Sequence, residues 1–141
     1  MKLEVAQRIV AATLAHARSR NMLPLAVAVL DARGSPRSLA AEDGTSLRRS
    51  DIAVGKAHGA LAMGLGSRTL MKRAETQPHF IAAVTHAVGG SLIPVPGGVL
   101  IRDAQGALVG AVGVSGDTSD NDEACAIVAI ESVGLKADPG A

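Results

Sequence analysis

The stretch from Gly97 to Glu123 does more than any other to limit what this chain can fold into. Apolar runs at Gly98 to Asp103 and at Ala107 to Val114 flank a short turn sequence ending in Gly106, which predicts two strands of a tight hairpin. In the second run Leu108, Gly110, Val112 and Val114 alternate with Val109, Ala111 and Gly113, so neither face is polar. A strand apolar on both faces belongs in a sheet covered on both sides. A second turn at Ser115 and Gly116 then feeds a helix starting near Asp120 and running to about Leu135. Asp117, Ser119 or Asp120 can cap it, and the clustered acids suit the positive end of its dipole.

The remaining elements follow from periodicity. Residues 3 to 20 carry an amphipathic helical stripe through Val5, Ile9, Ala12 and His16. Leu25 to Asp31 reads as a strand that stops at the turn Ala32 to Ser35 and pairs back through Pro36 to Ala41. Helices are expected at Leu47 to Met63, Ser67 to Arg73 and Pro78 to Val88, the last closed by Gly89 and Gly90. In the first of these, Gly55 and Gly59 lie four apart and would let a second backbone approach closely. Ser91 to Val95 reads as a further strand, and the tail from Lys136 to Ala141 is expected to fray. The order helix, two strands, helices, three strands, helix predicts an α/β (α+β) fold, a three-layer α/β/α sandwich around a five-stranded antiparallel sheet.

The chain has 141 residues, with no linker or repeat, and is read as one domain over 1–141. Apolar residues make up 48% of it, yet Phe80 is the sole aromatic, so the core is built from Ala, Val, Leu and Ile. Small side chains bury little area each, which favours a homo-oligomer. A net charge of +1, with basic residues only in short pairs such as Arg48–Arg49 and Lys72–Arg73, argues against a nucleic-acid partner. No apolar run approaches the ~20 residues of a membrane span, and charges occupy the amino terminus where a signal peptide would be apolar. With the single Cys125 ruling out an internal disulfide, a cytoplasmic location is expected.

Four blocks in this order resemble the GlcG/HbpS-like family, also called the haem-degrading-domain family, to which the carboxy-terminal domain of PduO-type adenosyltransferases is related. They are Ala26 to Asp31 with Gly34; Ser50 to Ala57, including Lys56; Gly89–Gly90; and Gly97 to Glu123. The resemblance implies a profilin-like fold, assembly into dimers, hexamers or octamers, and haem or a related tetrapyrrole as the ligand class. After Lys56 and Ala57 the family often carries Tyr, Phe or Arg, whereas this chain has His58.

For haem, one axial histidine and an apolar slot suffice. The candidates are His58, and His79 and His86 beside Phe80, with Arg48, Arg49 or Lys56 available to the propionates. His79 and His86 are seven apart, ~10.5 Å along a helix, too far to chelate one metal ion. Without a His-x-x-x-His pattern or paired cysteines, no metal site is expected. An alternative reading is an enzyme of small oxo- or hydroxy-acid catabolism, a lyase or tautomerase. There His58 would be the general base, Asp51 its helix-face partner, and Lys56 or Arg48 the anchor for a substrate carboxylate. Glu123 is either an acid pointing into a pocket or a carboxylate serving the helix start. A third reading is an adaptor, which would need an exposed apolar surface that assembly does not consume.

Overall fold

The computed structural model describes all residues from Met1 to Ala141. Helix α1 (Leu3–Ser19) is followed by β1 (Ala26–Asp31) and β2 (Pro36–Ala41). Three helices come next, α2 (Arg49–Met63), α3 (Ser67–Thr76) and α4 (Pro78–Ala87), then β3 (Gly98–Arg102), β4 (Leu108–Ser115), α5 (Ser119–Ser132) and β5 (Lys136–Asp138). The sheet order is β2-β1-β4-β3-β5, antiparallel throughout. Helices α1 and α5 cover one face of the sheet and α2 the other, giving the three layers expected.

Strand alternation divides the core between the two faces. Val27, Val29, Val99, Ile101, Val112 and Val114 meet Ile9, Ala126 and Ile130 of the α1–α5 layer. On the opposite face Ala26 and Ala28 meet Ala53, while Leu30, Leu100 and Ala111 meet Ala57 and Ala60. The α2 layer is thus built on alanine, and α2 lies close to the strands. Gly113 is what permits this: a Cβ there would collide with the carbonyl oxygen of Ala53.

Two expectations need correction. Ser91 to Val95 is not a strand but a loop laid over the outer side of α2, where the Ile93 N–H donates to Gly55 O at 3.2 Å. Its apolar residues fill notches left by glycine: a Cβ on Gly59 would stand 3.0 Å from Leu92 Cα, and one on Gly55 2.6 Å from Ile93 Cγ1. The close approach anticipated at these glycines is therefore made by this loop. The fifth strand instead comes from the tail, which does not fray. Lys136, Ala137 and Asp138 pair with Arg102, Ile101 and Leu100, and Arg102 Nε donates to Asp138 Oδ2 at 2.9 Å. Beyond it, Pro139 O accepts from the Arg68 N–H and the Ala141 N–H donates to Thr69 Oγ1, which seats the tail on the start of α3.

Candidate functional site

Helix α2 carries four polar positions singled out by the sequence, Arg49, Asp51, Lys56 and His58, and its 100° per residue sends them to different surroundings. Lys56 points down toward the β3–β4 hairpin and is 2% exposed. Its ammonium donates to Val114 O at 2.8 Å and to Asp122 Oδ2 at 3.2 Å, and Gly97 leaves the room in which it sits. Asp122 also accepts from the Asp117 N–H at 3.0 Å. Burial pulls the Lys56 pKa below its ordinary value against the opposing pull of Asp122, and burial likewise pushes Asp122 up against Lys56. The pair ties α2 to the first turn of α5 and leaves Lys56 no reach toward a ligand outside.

His58 lies two residues on and is half-buried. Its Nδ1 stands 2.7 Å from the carbonyl oxygen of Ser91. A carbonyl can only accept, so Nδ1 bears the hydrogen, and in the neutral ring the lone pair is on Nε2. The opposite ring edge lies against the β1–β2 turn at Gly34, whose φ of +86° places it in the left-handed region. A Cβ on Gly34 would be 3.4 Å from His58 Cδ2 and 3.9 Å from Nε2. The ring is thus gripped between the loop after α4 and the first hairpin, with one nitrogen satisfied and the other free. That is the arrangement in which a histidine acts as a ligand or a base.

Asp51 is at the outer start of α2, paired with Arg48 Nη1 at 2.8 Å on an exposed surface. It lines an open groove of about 430 Å³ with Ile52, Val54, Gly55 and the loop residues Gly89 to Ser91 and Ile93. Arg49 turns inward, donating to Ser115 Oγ at 3.1 Å. Glu123 does not serve the helix start. The cap is Thr118, whose Oγ1 accepts from the Asn121 N–H at 3.2 Å, in place of the three residues expected. Glu123 is buried and takes both its bonds from Arg68 Nε, at 3.1 and 3.0 Å, while the same guanidinium holds Asp120. His79 and His86 are exposed on α4, and Phe80 is half-buried with Arg73 5.0 Å over its ring.

The structure therefore brings together none of His58, Lys56, Asp51 and Glu123 in a single cleft. Sequence reasoning did not single out Arg68, the partner of Glu123, or Ser91, which orients His58. Ser91 contributes a backbone carbonyl, an atom every residue carries, so no side-chain pattern marks it. No cluster of three or more His, Cys, Asp or Glu residues is placed to hold a metal ion, and no helix is long and apolar enough to cross a membrane.

The fold has close counterparts among solved structures. A complex of PduOC with haem superposes with a TM-score of 0.84 at 23% identity, covering 96% of both chains. The Klebsiella pneumoniae protein ORFY gives 0.84 at 24% identity over 95% of this chain and 90% of its own. A double mutant of Streptomyces reticuli HbpS gives 0.80 at 27% identity, over 95% of this chain and 87% of its own. No curated protein matches the chain. At the level of sequence, the profile of the family described as haem degrading protein HbpS-like matches residues 1–131, and the chain belongs to that family.

Proposed function

We propose that the chain is a haem- or tetrapyrrole-binding protein, working as a cytoplasmic single-domain homo-oligomer, with His58 as the axial ligand. The observation that carries this is the His58–Ser91 hydrogen bond of 2.7 Å, which fixes the tautomer and presents Nε2 as a neutral donor. The donor chemistry fits the group. Bound haem would supply an iron centre able to accept that lone pair. The chain's own part is to hold the ring still, to keep the proton on Nδ1, and to offer an apolar surround. Membership of the haem-degrading family and the haem complex of PduOC support the same ligand class.

The surround is incomplete in one chain. The open grooves are polar in part, and the most apolar pocket, between Met1, Val5, Val109 and Leu135, holds only about 160 Å³. Ligand sites of drug size span roughly 300–1,000 Å³ and are mostly apolar. A second copy supplying the other wall accounts for this, and α4 offers the exposed Ala82, Ala83 and Ala87 as small apolar surface.

The lyase or tautomerase reading has less support, because it needs a second group on the reacting atoms. Asp51 is held by Arg48, Glu123 by Arg68 and Lys56 by Asp122. Titration with haemin tests the proposal: wild type should develop a shifted Soret band that His58→Ala loses. Retention of band position and affinity in His58→Ala, with loss in His79→Ala or His86→Ala, would move the ligand to α4 and overturn the assignment.

A further inference from the structure

The exposed strand beside His58 has an apolar side, with arginines at its turn end, that no element of the chain covers. In the β1–β2 register Val27 stands opposite Ala40, and both pack with the α1–α5 layer. Ala28 stands opposite Leu39 and Ala26 opposite Ala41, so Leu39 and Ala41 lie on the α2 side of the sheet. Arg37 lies between Leu39 and the turn, at the bulge where the β1–β2 register shifts between Val29 and Leu30, and is exposed. Helix α2 runs over β1, β4 and β3 and barely reaches β2. Leu39 consequently remains 46% exposed in mid-strand, next to the fully buried Ala28.

His58 stands at the rim of this shelf. It shares the β2-facing flank of α2 with Val54, which packs on Ala26 and Ala28, and its Cδ2–Nε2 edge meets the turn that joins β1 to β2. That turn is rigid. Asp31 Oδ1 accepts the N–H groups of Arg33 and Ser35 at 2.9 and 3.0 Å, and the Asp31 and Gly34 N–H groups complete the closure. Arg33 on the turn and Arg37 at the start of β2 are both exposed; neither forms an ion pair, although both charges help to lower the pKa of the Asp31 carboxyl that closes the turn. A guanidinium on a preorganised turn and another at the strand start beside it are chemistry for carboxylates, which they can meet in bidentate fashion.

We propose that the α2-facing side of β2 seats the ligand, a flat apolar macrocycle bearing carboxylates, with Leu39 as its floor and Arg33 and Arg37 holding its acid groups. The inference rests on the reading of His58 as axial ligand and adds the cations that set orientation. It gives the propionates partners other than Lys56, whose charge is sealed inside, and Arg48, which Asp51 already engages.

The test uses two probes, haemin and its dimethyl ester, which share the macrocycle and differ at the two propionates, charged in one and methylated in the other. Four proteins are compared: wild type, Arg33→Gln/Arg37→Gln, Leu39→Asp and His58→Ala, with affinity read from the Soret band. The double arginine variant should bind haemin about tenfold or more weakly, with a shallower salt dependence, and bind the ester as wild type does. Leu39→Asp should weaken both probes. If the arginine variant binds haemin like wild type, or loses both probes equally, the seat is wrong even where His58→Ala abolishes the band. If His58→Ala keeps the band while the arginine variant selectively loses haemin, the seat stands and the axial assignment falls. A Leu39→Asp protein that changes subunit number by sedimentation but keeps both affinities makes the shelf a contact between copies, which overturns the proposal. A wild type giving no band shift with either probe sinks both readings.

Discussion

Lys56 and His58 are two residues apart on α2, and the fold treats them in opposite ways. Lys56 is withdrawn from water, and its ammonium is spent on Asp122 and on the carbonyl of Val114. His58 is half-buried, bonded on one side to Ser91 and left open on the other. The difference is one of completeness. A polar group whose partners are all internal holds the fold together, whereas one fixed in position with a nitrogen to spare is prepared to meet something else. By that criterion the lysine belongs to architecture, and the histidine, which follows the family-like block and departs from the family's usual residue, is the group the proposed function calls on.

Removing the lysine should cause the largest loss. Lys56→Ala leaves the Asp122 carboxylate buried without its cation, a change that costs about 3–5 kcal/mol in comparable settings. Urea unfolding would show it as a lower midpoint at unchanged slope. The pair variant Lys56→Met/Asp122→Leu should recover much of that loss, because well-packed apolar residues of similar volume replace a buried ion pair at little cost. Recovery will be partial, since the Asp117 N–H, which now donates to Asp122, loses its acceptor. A Lys56→Ala protein as stable as wild type would break the contrast on the lysine side.

The pH dependence carries the signature of the same pair. Burial raises the Asp122 pKa above its ordinary 3.8, so its contribution to stability is present below that value and is lost as pH rises through the folded one. Burial lowers the Lys56 pKa below 10.5, so its contribution is present above 10.5 and is lost as pH falls through its folded value. Wild type compared with Lys56→Met/Asp122→Leu should therefore lose relative stability as pH climbs above about 4, and regain it toward pH 10. A flat difference across that range would mean the pair is solvated.

How much of this contrast the sequence could show follows from the kind of signal each part gives. The hairpin from Gly98 to Ser115 was legible because alternation, a turn and a capped helix all agree there. The two errors have different sources. In Ser91 to Val95, Leu92 and Ile93 are apolar because they fill the notches at Gly59 and Gly55, and a run of apolar residues cannot say whether a strand or a helix lies beneath it. In the tail, three residues at a sheet edge are too few to show a period, and their fit depends on Arg102, 36 positions from Asp138. The site was legible to a similar degree. His58 could be named, but its tautomer is set by the carbonyl at position 91, and the sealing of Lys56 is a property of where the sheet and α5 meet.

On the histidine side the expected effect on stability is small. His58→Ala frees the Ser91 carbonyl at a half-buried position where water can reach it, so the loss should be about 1 kcal/mol or less. The protein should still melt cooperatively and keep its helical circular dichroism while its haem spectrum changes. A loss as large as that of Lys56→Ala would make His58 structural and erase the contrast. Arg48→Ala should cost still less, under about 0.5 kcal/mol, because the Arg48–Asp51 pair is exposed on both sides and screened by salt. It should also leave haem affinity unchanged, which separates Arg48 from the arginines of the first hairpin.

The smallest expected signal is an absence of reaction, and it tests the sealing of the Lys56 side without altering any residue. Cys125 follows Asp122 by one turn of α5 and is fully buried, with its Sγ 3.4 Å from Met22 Sδ. Burial, with the nearby Asp122 and Asp117 charges, pushes its pKa up to about 11. At pH 8 the native thiol is therefore both covered and protonated, and it should resist iodoacetamide until denaturant unfolds the chain. Its labelling rate then reports the opening of α5 from the sheet, the same motion that would expose Lys56 and Asp122. Rapid labelling of the native protein would show that this end of the sheet opens freely, and the buried pair would then be as accessible as the histidine.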